Sequence, residues 1–432
     1  MEKILSLAKK VAEEAEVYVV TSEETPVQFQ ANRLKHIQSK QSTNVALRII
    51  KDGKIGYATA TSLVEQNLVD MAVATAEFGM KAEFELPRKT AYPVIEVYDT
   101  EVEPVTLEQM VKVGEELIST LLANTPELLC HAWVSKGVTS FRIMNSRGGQ
   151  ANYKQTVFGL SVWANLIRGT DMLFISEDQS SCHPILEAKE VAGVALRQLD
   201  MAKNMASAPS RSMPVIFTPH GVASALITPL MAAFNGKTVL EGASPIGGKI
   251  GQVVFDKKLS LADDPTIAYR PTSGPCDDEG VASQRTSLIS EGVVDGFLYD
   301  LQTAALAHTR STGSGHRSHS GLPAPSPSAF VIAPGGTSFD EMVCDIKEGL
   351  VIEELMGAEQ GNILGGDFSG NVLLGYKIEN GKIVGRVKDT MVSGNVYQLL
   401  NQISAIGSDA HWVGGFVSTP SLYFPGVSVA SK

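Results

Sequence analysis

The segment MASAPSRSMP, residues 205–214, consists mostly of Ser, Pro, Ala and Met, and it separates two halves of the chain with different apolar patterns. In the first half, helical and strand periodicities alternate. In the second half, one helix at 219–234 is followed by short apolar runs that Gly, Pro and Asn interrupt. A chain of 432 residues is also too long for one ordinary core. We therefore predict an α+β protein in which an N-terminal mixed α/β domain, residues 1–205, is followed by a β-rich C-terminal domain, residues 206–432.

Short local signals predict individual elements within these halves. Asp52-Gly53 and Asn380-Gly381 each lie between strand-like runs, which is typical of a two-residue hairpin turn. Thr106, with Gln109 three residues later, forms a capping box that predicts the start of a helix. Thr218-Pro219 predicts the N-cap and first residue of the helix in the second half.

Composition and charge exclude several classes of function. The chain has 36 Lys and Arg against 47 Asp and Glu, which gives a net charge of −11. This charge provides no electrostatic attraction to nucleic acid, so we expect no direct binding. No stretch reaches the length of about 20 apolar residues that spans a bilayer, and acidic residues occupy the place of a signal-peptide core, so no membrane association is expected. The cysteines form no CxxC pair, which favours reduced thiols and a cytoplasmic protein. They are Cys130, Cys182, Cys276 and Cys344.

Searches for common catalytic motifs are negative. No GxSxG nucleophile motif and no HExxH or HExxxH zinc motif occurs in the sequence. The run GASPIGGKIGQ resembles a phosphate-binding loop, but Ile250 follows Lys249 where the motif needs a magnesium-binding Ser or Thr. We interpret this run as a glycine-rich loop.

Three consecutive carboxylates, Asp277, Asp278 and Glu279, precede a glycine. Adjacent carboxylates repel one another unless a cation, backbone N–H groups or an arginine such as Arg285 compensates their charge. Two interpretations are open: a contact to a substrate amine or a metal ion, or a solvated turn held by its own Asx side chains.

A second candidate is the segment HTRSTGSGHRSHSG, residues 308–321, which contains His308, His316 and His319. Their spacing is permitted for zinc, but glycines make the segment flexible and no Asp, Glu or Cys within it completes a ligand set. A metal site, a loop that contacts substrate or partner, and a plain polar loop are the three interpretations. We predict no metal ligand here, and we take these histidines, the 277–279 carboxylates and Arg285 as substrate- or partner-binding candidates.

The closing third of the chain carries an ordered set of short motifs. They are ELMG (354–357), GDFS (366–369), ENG (379–381), SGN (393–395) and AIGSD (405–409), preceded by NSRG (145–148), DDEG (277–280) and STG (311–313). With this set the chain resembles the TldD/PmbA family, and more closely its PmbA/TldE-like branch, once called modulators of DNA gyrase. The resemblance covers essentially the whole chain.

The resemblance implies a cytosolic two-subunit metallopeptidase that acts on unfolded or modified peptides. In such an assembly the TldD-like chain holds zinc through HExxxH on the first helix of the C-terminal half and through a later cysteine. Ala225, Leu226 and Leu230 stand at the His, Glu and His positions of that motif, and no cysteine follows Cys344. The resemblance therefore implies no cofactor in this chain and zinc in its partner.

Our leading hypothesis is a non-catalytic PmbA/TldE-like subunit that pairs with a TldD-like chain and helps to hold an extended peptide. A homodimer is the alternative assembly where no such partner is available. The rival hypotheses are an independent metal-dependent hydrolase that uses His308, His316 and His319, and a non-enzymatic interaction protein of the gyrase-modulator type.

Overall fold

The computed structural model describes residues 1–61, 65–317 and 321–431. The helices of its first half are α1 (Glu2–Ala8), α2 (Glu65–Ala76), α3 (Leu107–Asn124) and α4 (Lys189–Met201). The strands of the first half are β1 (Glu14–Gln30), β2 (Arg33–Ile37), β3 (Lys40–Lys51), β4 (Lys54–Ala60), β5 (Leu129–Asn145), β6 (Gln150–Arg168) and β7 (Asp171–Ser181).

These strands form one antiparallel sheet in the order β4-β3-β1-β5-β6-β7, with β2 paired to β1. Asp52 and Gly53 both have positive φ, at 50° and 70°, and they turn β3 into β4 as the sequence predicts. The capping box of Thr106 and Gln109 is also confirmed, since each side chain bonds the other residue's backbone N–H at the start of α3. Local signals therefore determine the ends of these elements.

The second half is built mostly from short strands. Its helices are α5 (Pro219–Ala225), α6 (Ile227–Phe234), α7 (Gly236–Leu240), α8 (Leu301–Leu306), α9 (Phe339–Asp345) and α10 (Val396–Leu400), with a 3₁₀ turn at Ala358–Gln360. Its strands are β8 (Met205–Ala206), β9 (Arg211–Phe217), β10 (Leu261–Asp263), β11 (Thr286–Ser290), β12 (Val293–Val294), β13 (Gly315–Arg317), β14 (Pro323–Pro325), β15 (Phe330–Ile332), β16 (Glu348–Met356), β17 (Asp367–Glu379), β18 (Lys382–Val387), β19 (Thr390–Asn395), β20 (Ala405–Ile406), β21 (His411–Val413), β22 (Val417–Thr419) and β23 (Leu422–Ser431).

The larger sheet of this half closes on itself. Its order is β16-β9-β23-β19-β17-β18-β8, and β16 also pairs with β17, so β16, β9, β23, β19 and β17 form a ring. Closure removes the free edges that an open sheet of these strands would expose. A second sheet runs β12-β11-β10-β15-β22-β21. Helices and strands are both present throughout, which confirms the predicted α+β class.

The closed sheet has two apolar faces. Because side chains alternate along a strand, Val215 and Phe217 pack with α5 and α6 in one core, while Ile216 between them packs in another. That second core also contains Leu117 of α3 and Leu160 of β6, so residues from both halves of the chain share it. The division at residue 205 stays a prediction.

The helix expected at 219–234 is interrupted, and this prediction needs correction. Thr218 caps α5 and Pro219 is its first residue, as predicted, but α5 ends at Ala225 and α6 begins at Ile227. Pro229 explains the break, because its ring removes an N–H donor and crowds the carbonyl of residue 225. Leu226, which joins the two helices, has a φ of −109° and a ψ of −25°. None of the helices in the described ranges is long and apolar enough to cross a bilayer.

A buried aspartate in the second sheet predicts a pH-dependent stability. Asp263 is 1% exposed and accepts hydrogen bonds from the backbone N–H groups of Ser328 and Ala329 at 2.8 Å each. Burial outweighs these two bonds and raises its pKa to about 7. In the unfolded chain an aspartate has a pKa of about 3.9. Between these two pKa values the folded protein binds more protons than the unfolded chain, so the free energy of unfolding falls as the pH rises.

We expect this aspartate alone to lower the free energy of unfolding by about 2 kcal/mol between pH 5 and pH 7. Asp263→Asn keeps an accepting oxygen for both N–H groups and removes the titration. Urea unfolding of both proteins at the two pH values measures the difference. Equal pH slopes for the two proteins would contradict the prediction.

Candidate functional sites

Three side chains from separate elements meet where the two halves of the chain touch. Glu177 lies on β7, His220 is the second residue of α5, and His411 begins β21. Nε2 of His220 lies 3.0 Å from one carboxylate oxygen of Glu177, and Nε2 of His411 lies 3.1 Å from the other. One ligand atom from each side chain lies within 4.8 Å of the other two. Among the described residues, this is the only such group of three that could hold a metal ion.

The cluster combines a buried carboxylate with more accessible imidazoles. The side chain of Glu177 is 2% exposed, that of His220 17% and that of His411 41%. Burial raises the pKa of Glu177, but the hydrogen bonds and charges of the two histidines outweigh it and lower this pKa to about 2. The carboxylate is therefore ionised and available as an anionic oxygen ligand.

Further acidic groups surround the cluster. Glu353 and Glu354 follow one another on β16, and burial raises the pKa of each. Glu353 accepts a hydrogen bond from the Thr218 hydroxyl at 2.8 Å, so the residue that caps α5 also contacts this acidic group. Burial likewise raises the pKa of Asp178, whose carboxylate accepts the backbone N–H of Gly414 at 3.3 Å. Three carboxyl groups besides that of Glu177 therefore lie around the cluster.

Glu177 and His220 also line a cleft of about 480 Å³. Its walls include Trp133 and Trp163, which are 41% and 44% exposed. The Trp163 ring lies 4.7 Å from the ring of His131, measured between centroids. Exposed aromatic rings beside polar strands suit the binding of an extended, partly apolar ligand.

The predicted carboxylate turn lies elsewhere, beside a larger chamber of about 870 Å³. Asp277 accepts three backbone N–H groups, from Glu279, Val281 and Gly315. Asp278 accepts the Tyr18 hydroxyl at 2.6 Å. Hydrogen bonds to Tyr18 of β1 and Gly315 of β13 therefore hold the turn against the rest of the protein, and it is not a solvated turn.

Arginines do compensate this turn, but Arg285 is not one of them. Arg48 lies between Glu279 and Glu16, at 2.5 and 3.1 Å, with all three side chains at most 3% exposed. Arg317 forms a further ion pair with Glu16. Arg285 is instead 60% exposed and lies 3.7 Å from Asp264. Arginines from β3 and β13 therefore compensate the negative charge of these carboxylates.

Residues 315–317 of the histidine segment form a strand, where we expected a flexible loop. His316 lies on β13, which pairs with β14, and Arg317 beside it bonds the carbonyl of Gly321. The imidazole of His316 lies 2.9 Å from the Ser328 hydroxyl, and burial lowers its pKa. His308 is exposed after α8, and His319 lies outside the described residues. Binding roles for these histidines and for the carboxylate turn stay predictions.

The positions at which the resemblance expects zinc ligands lie in a hydrophobic core. Ala225, Leu226 and Leu230 are 3%, 0% and 0% exposed and pack with the apolar face of the closed sheet. None offers a nitrogen, oxygen or sulfur ligand, so the zinc of the HExxxH motif does not fit at these residues.

Glu177, His220 and His411 are not among the residues predicted from the sequence. In the sequence, His220 has no glutamate neighbour and no histidine four residues later. The Thr218-Pro219 cap places His220 in the first turn of α5, which was the one available signal. Nothing in the local sequence indicates that β7 and β21 bring Glu177 and His411 to that turn.

Comparison with known proteins identifies the family. A model described as the PmbA/TldA metallopeptidase C-terminal domain matches residues 210–431, half of the chain, and one for domain 1 matches residues 15–76. An uncharacterized protein of Methanocaldococcus jannaschii is 29% identical over 430 residues, 99% of each chain. A metalloprotease TldD homolog of Haemophilus influenzae is 30% identical over 239 residues, 55% of this chain and 48% of that protein.

The fold is likewise shared with a solved protein. The crystal structure of TldE from Thermococcus kodakarensis superposes with a TM-score of 0.90 at 22% identity, over 100% of each chain. Together with the family models, this likeness confirms the resemblance that the ordered motifs indicate. The chain belongs to the TldD/PmbA family of metallopeptidase-like proteins.

Proposed function

We propose that the chain is a PmbA/TldE-like subunit of a TldD/TldE-type metallopeptidase that acts on unfolded or modified peptides. A TldD-like chain would supply the zinc of the HExxxH motif. The observation that carries this proposal is the replacement of that motif by Ala225, Leu226 and Leu230, whose side chains are buried in a core. The fold shared with a TldE supports the same branch of the family.

The contribution of this subunit would be to bind the peptide. The cleft beside Glu177 offers indole rings from Trp133 and Trp163 and the polar side chains of Gln28 and Ser161. Such walls bind an extended chain through stacking and hydrogen bonds that tolerate many sequences, as a peptidase for unfolded substrates requires.

Co-purification tests the proposed partnership. We expect this chain, when co-expressed with a TldD-like chain of the same organism, to co-elute with it in size-exclusion chromatography as a stable complex. Light scattering on this chain alone measures the alternative homodimer. Separate elution of the two chains at micromolar concentration would count against the subunit role.

A further inference from the structure

We propose that Glu177, His220 and His411 form a binding site for one divalent transition-metal ion, with Zn²⁺ as the best fit. This site uses none of the three positions at which the family motif would place its ligands. It also stands apart from the subunit role, because it rests only on side chains of this chain.

The distances already approach those of a coordination sphere. Ligand atoms about 2.0–2.1 Å from a tetrahedral zinc ion lie about 3.3 Å from one another. The two imidazole nitrogens lie 3.0 and 3.1 Å from the carboxylate oxygens of Glu177, and the widest separation in the group stays within 4.8 Å. Closing that widest separation by at most about 1.5 Å, mainly through the accessible His411 side chain, would bring the three ligands around one ion.

The types of ligand select the metal. Two imidazole nitrogens and one carboxylate oxygen suit Zn²⁺ and its neighbours, whereas Mg²⁺ and Ca²⁺ prefer oxygen ligands alone. Three protein ligands also leave a fourth coordination position, which water fills in open zinc sites. Since Glu177 and His220 line the cleft, that position would be available to an oxygen atom of a bound peptide.

The surroundings orient these ligands. The backbone N–H of Asp178 donates to Glu177 at 3.1 Å, which restricts rotation of the carboxylate. The Asp178 side chain in turn accepts the Gly414 N–H, which links β7 to the segment that follows His411. His220 is held in the capped first turn of α5. Ligands supported in this way lose little entropy when a metal binds.

The test is a direct measurement of metal binding by the full chain. After chelator treatment and dialysis, we expect Zn²⁺ titrated against a competing chromophoric chelator to bind with a stoichiometry of one. Co²⁺ should give visible absorption bands of a coordinated ion. His411→Ala and Glu177→Gln should each weaken binding by at least about 100-fold, because the first removes a ligand and the second replaces an anionic oxygen with a neutral amide.

A matched control separates this site from adventitious binding by surface histidines. His183 is 49% exposed and also pairs with a carboxylate, that of Asp99, so His183→Ala should leave affinity and stoichiometry unchanged. His411 is accessible, so His411→Ala should keep the melting temperature of the metal-free protein, and Glu177→Gln provides a second variant if it does not.

Absence of a stoichiometric Zn²⁺ site, or binding that neither His411→Ala nor Glu177→Gln weakens, would overturn the inference. A protein that binds no metal but co-elutes with a TldD-like chain would leave the subunit role intact. The two proposals can therefore fail separately.

Discussion

Replacing Arg48 with methionine is expected to lower the free energy of unfolding by about 3–5 kcal/mol. Arg48 is 3% exposed and contacts two carboxylates, Glu16 and Glu279, that are both fully buried. Without the guanidinium, the partners of these two groups within the described part of the chain are Arg317, which pairs with Glu16, and the backbone N–H of Leu301, which donates to Glu279. A buried ion pair that loses one partner costs far more than the pair itself contributes, because the other charge stays desolvated.

Urea unfolding at neutral pH measures this effect. Arg168→Met is the matched control, since Arg168 also pairs with a glutamate, Glu127, but both side chains are 64% exposed. We expect the control to change stability by less than about 1 kcal/mol. Equal effects of the two substitutions would show that the buried network does not stabilise the contact between β3 and the 277–279 turn.

Leu226→Glu is expected to be similarly severe, with a loss of at least about 3 kcal/mol. Leu226 is fully buried between α5 and α6 in an apolar core, so the new carboxylate would lose its hydration among apolar side chains. The introduced glutamate would stand where the HExxxH motif has its own, so we expect that simple substitution cannot restore the motif here.

The control for this substitution is Leu226→Met, which conserves volume and should cost less than about 1.5 kcal/mol. Thermal unfolding of both variants and of the parent chain measures the two losses of stability. A Leu226→Glu protein that melts at the temperature of the parent chain would mean that water or a cation reaches this position.

Local chemistry explains which parts of the fold were predictable. Asn380-Gly381 turns β17 into β18 as expected, with both residues at positive φ, because few other residues adopt that conformation cheaply. Pro229 is a local signal for the break at Leu226. The apolar periodicity of 219–234 nevertheless continues across the break and predicts a single helix. Pairings such as β16 with β9 join segments far apart in the chain, and no local pattern specifies them.

The candidate sites show the same difference between local sequence signals and contacts that only the fold creates. The 277–279 carboxylates stood out because adjacent like charges need compensation, yet their partner Arg48 lies on a distant strand that only the fold brings near. His220 and His411 carried no such signal, since each is an isolated histidine in the sequence. Their common partner Glu177 becomes visible only when β7, α5 and β21 are placed together.

The proposed subunit role requires a TldD-like partner for peptide hydrolysis. The most direct test is the rate at which an unfolded peptide is cleaved, in the presence of Zn²⁺, by this chain alone, by a TldD-like chain alone and by the two together. We predict no cleavage above background by this chain alone, and faster cleavage by the pair than by the TldD-like chain. Cleavage by this chain alone at the rate of the pair would rule out the proposed subunit role.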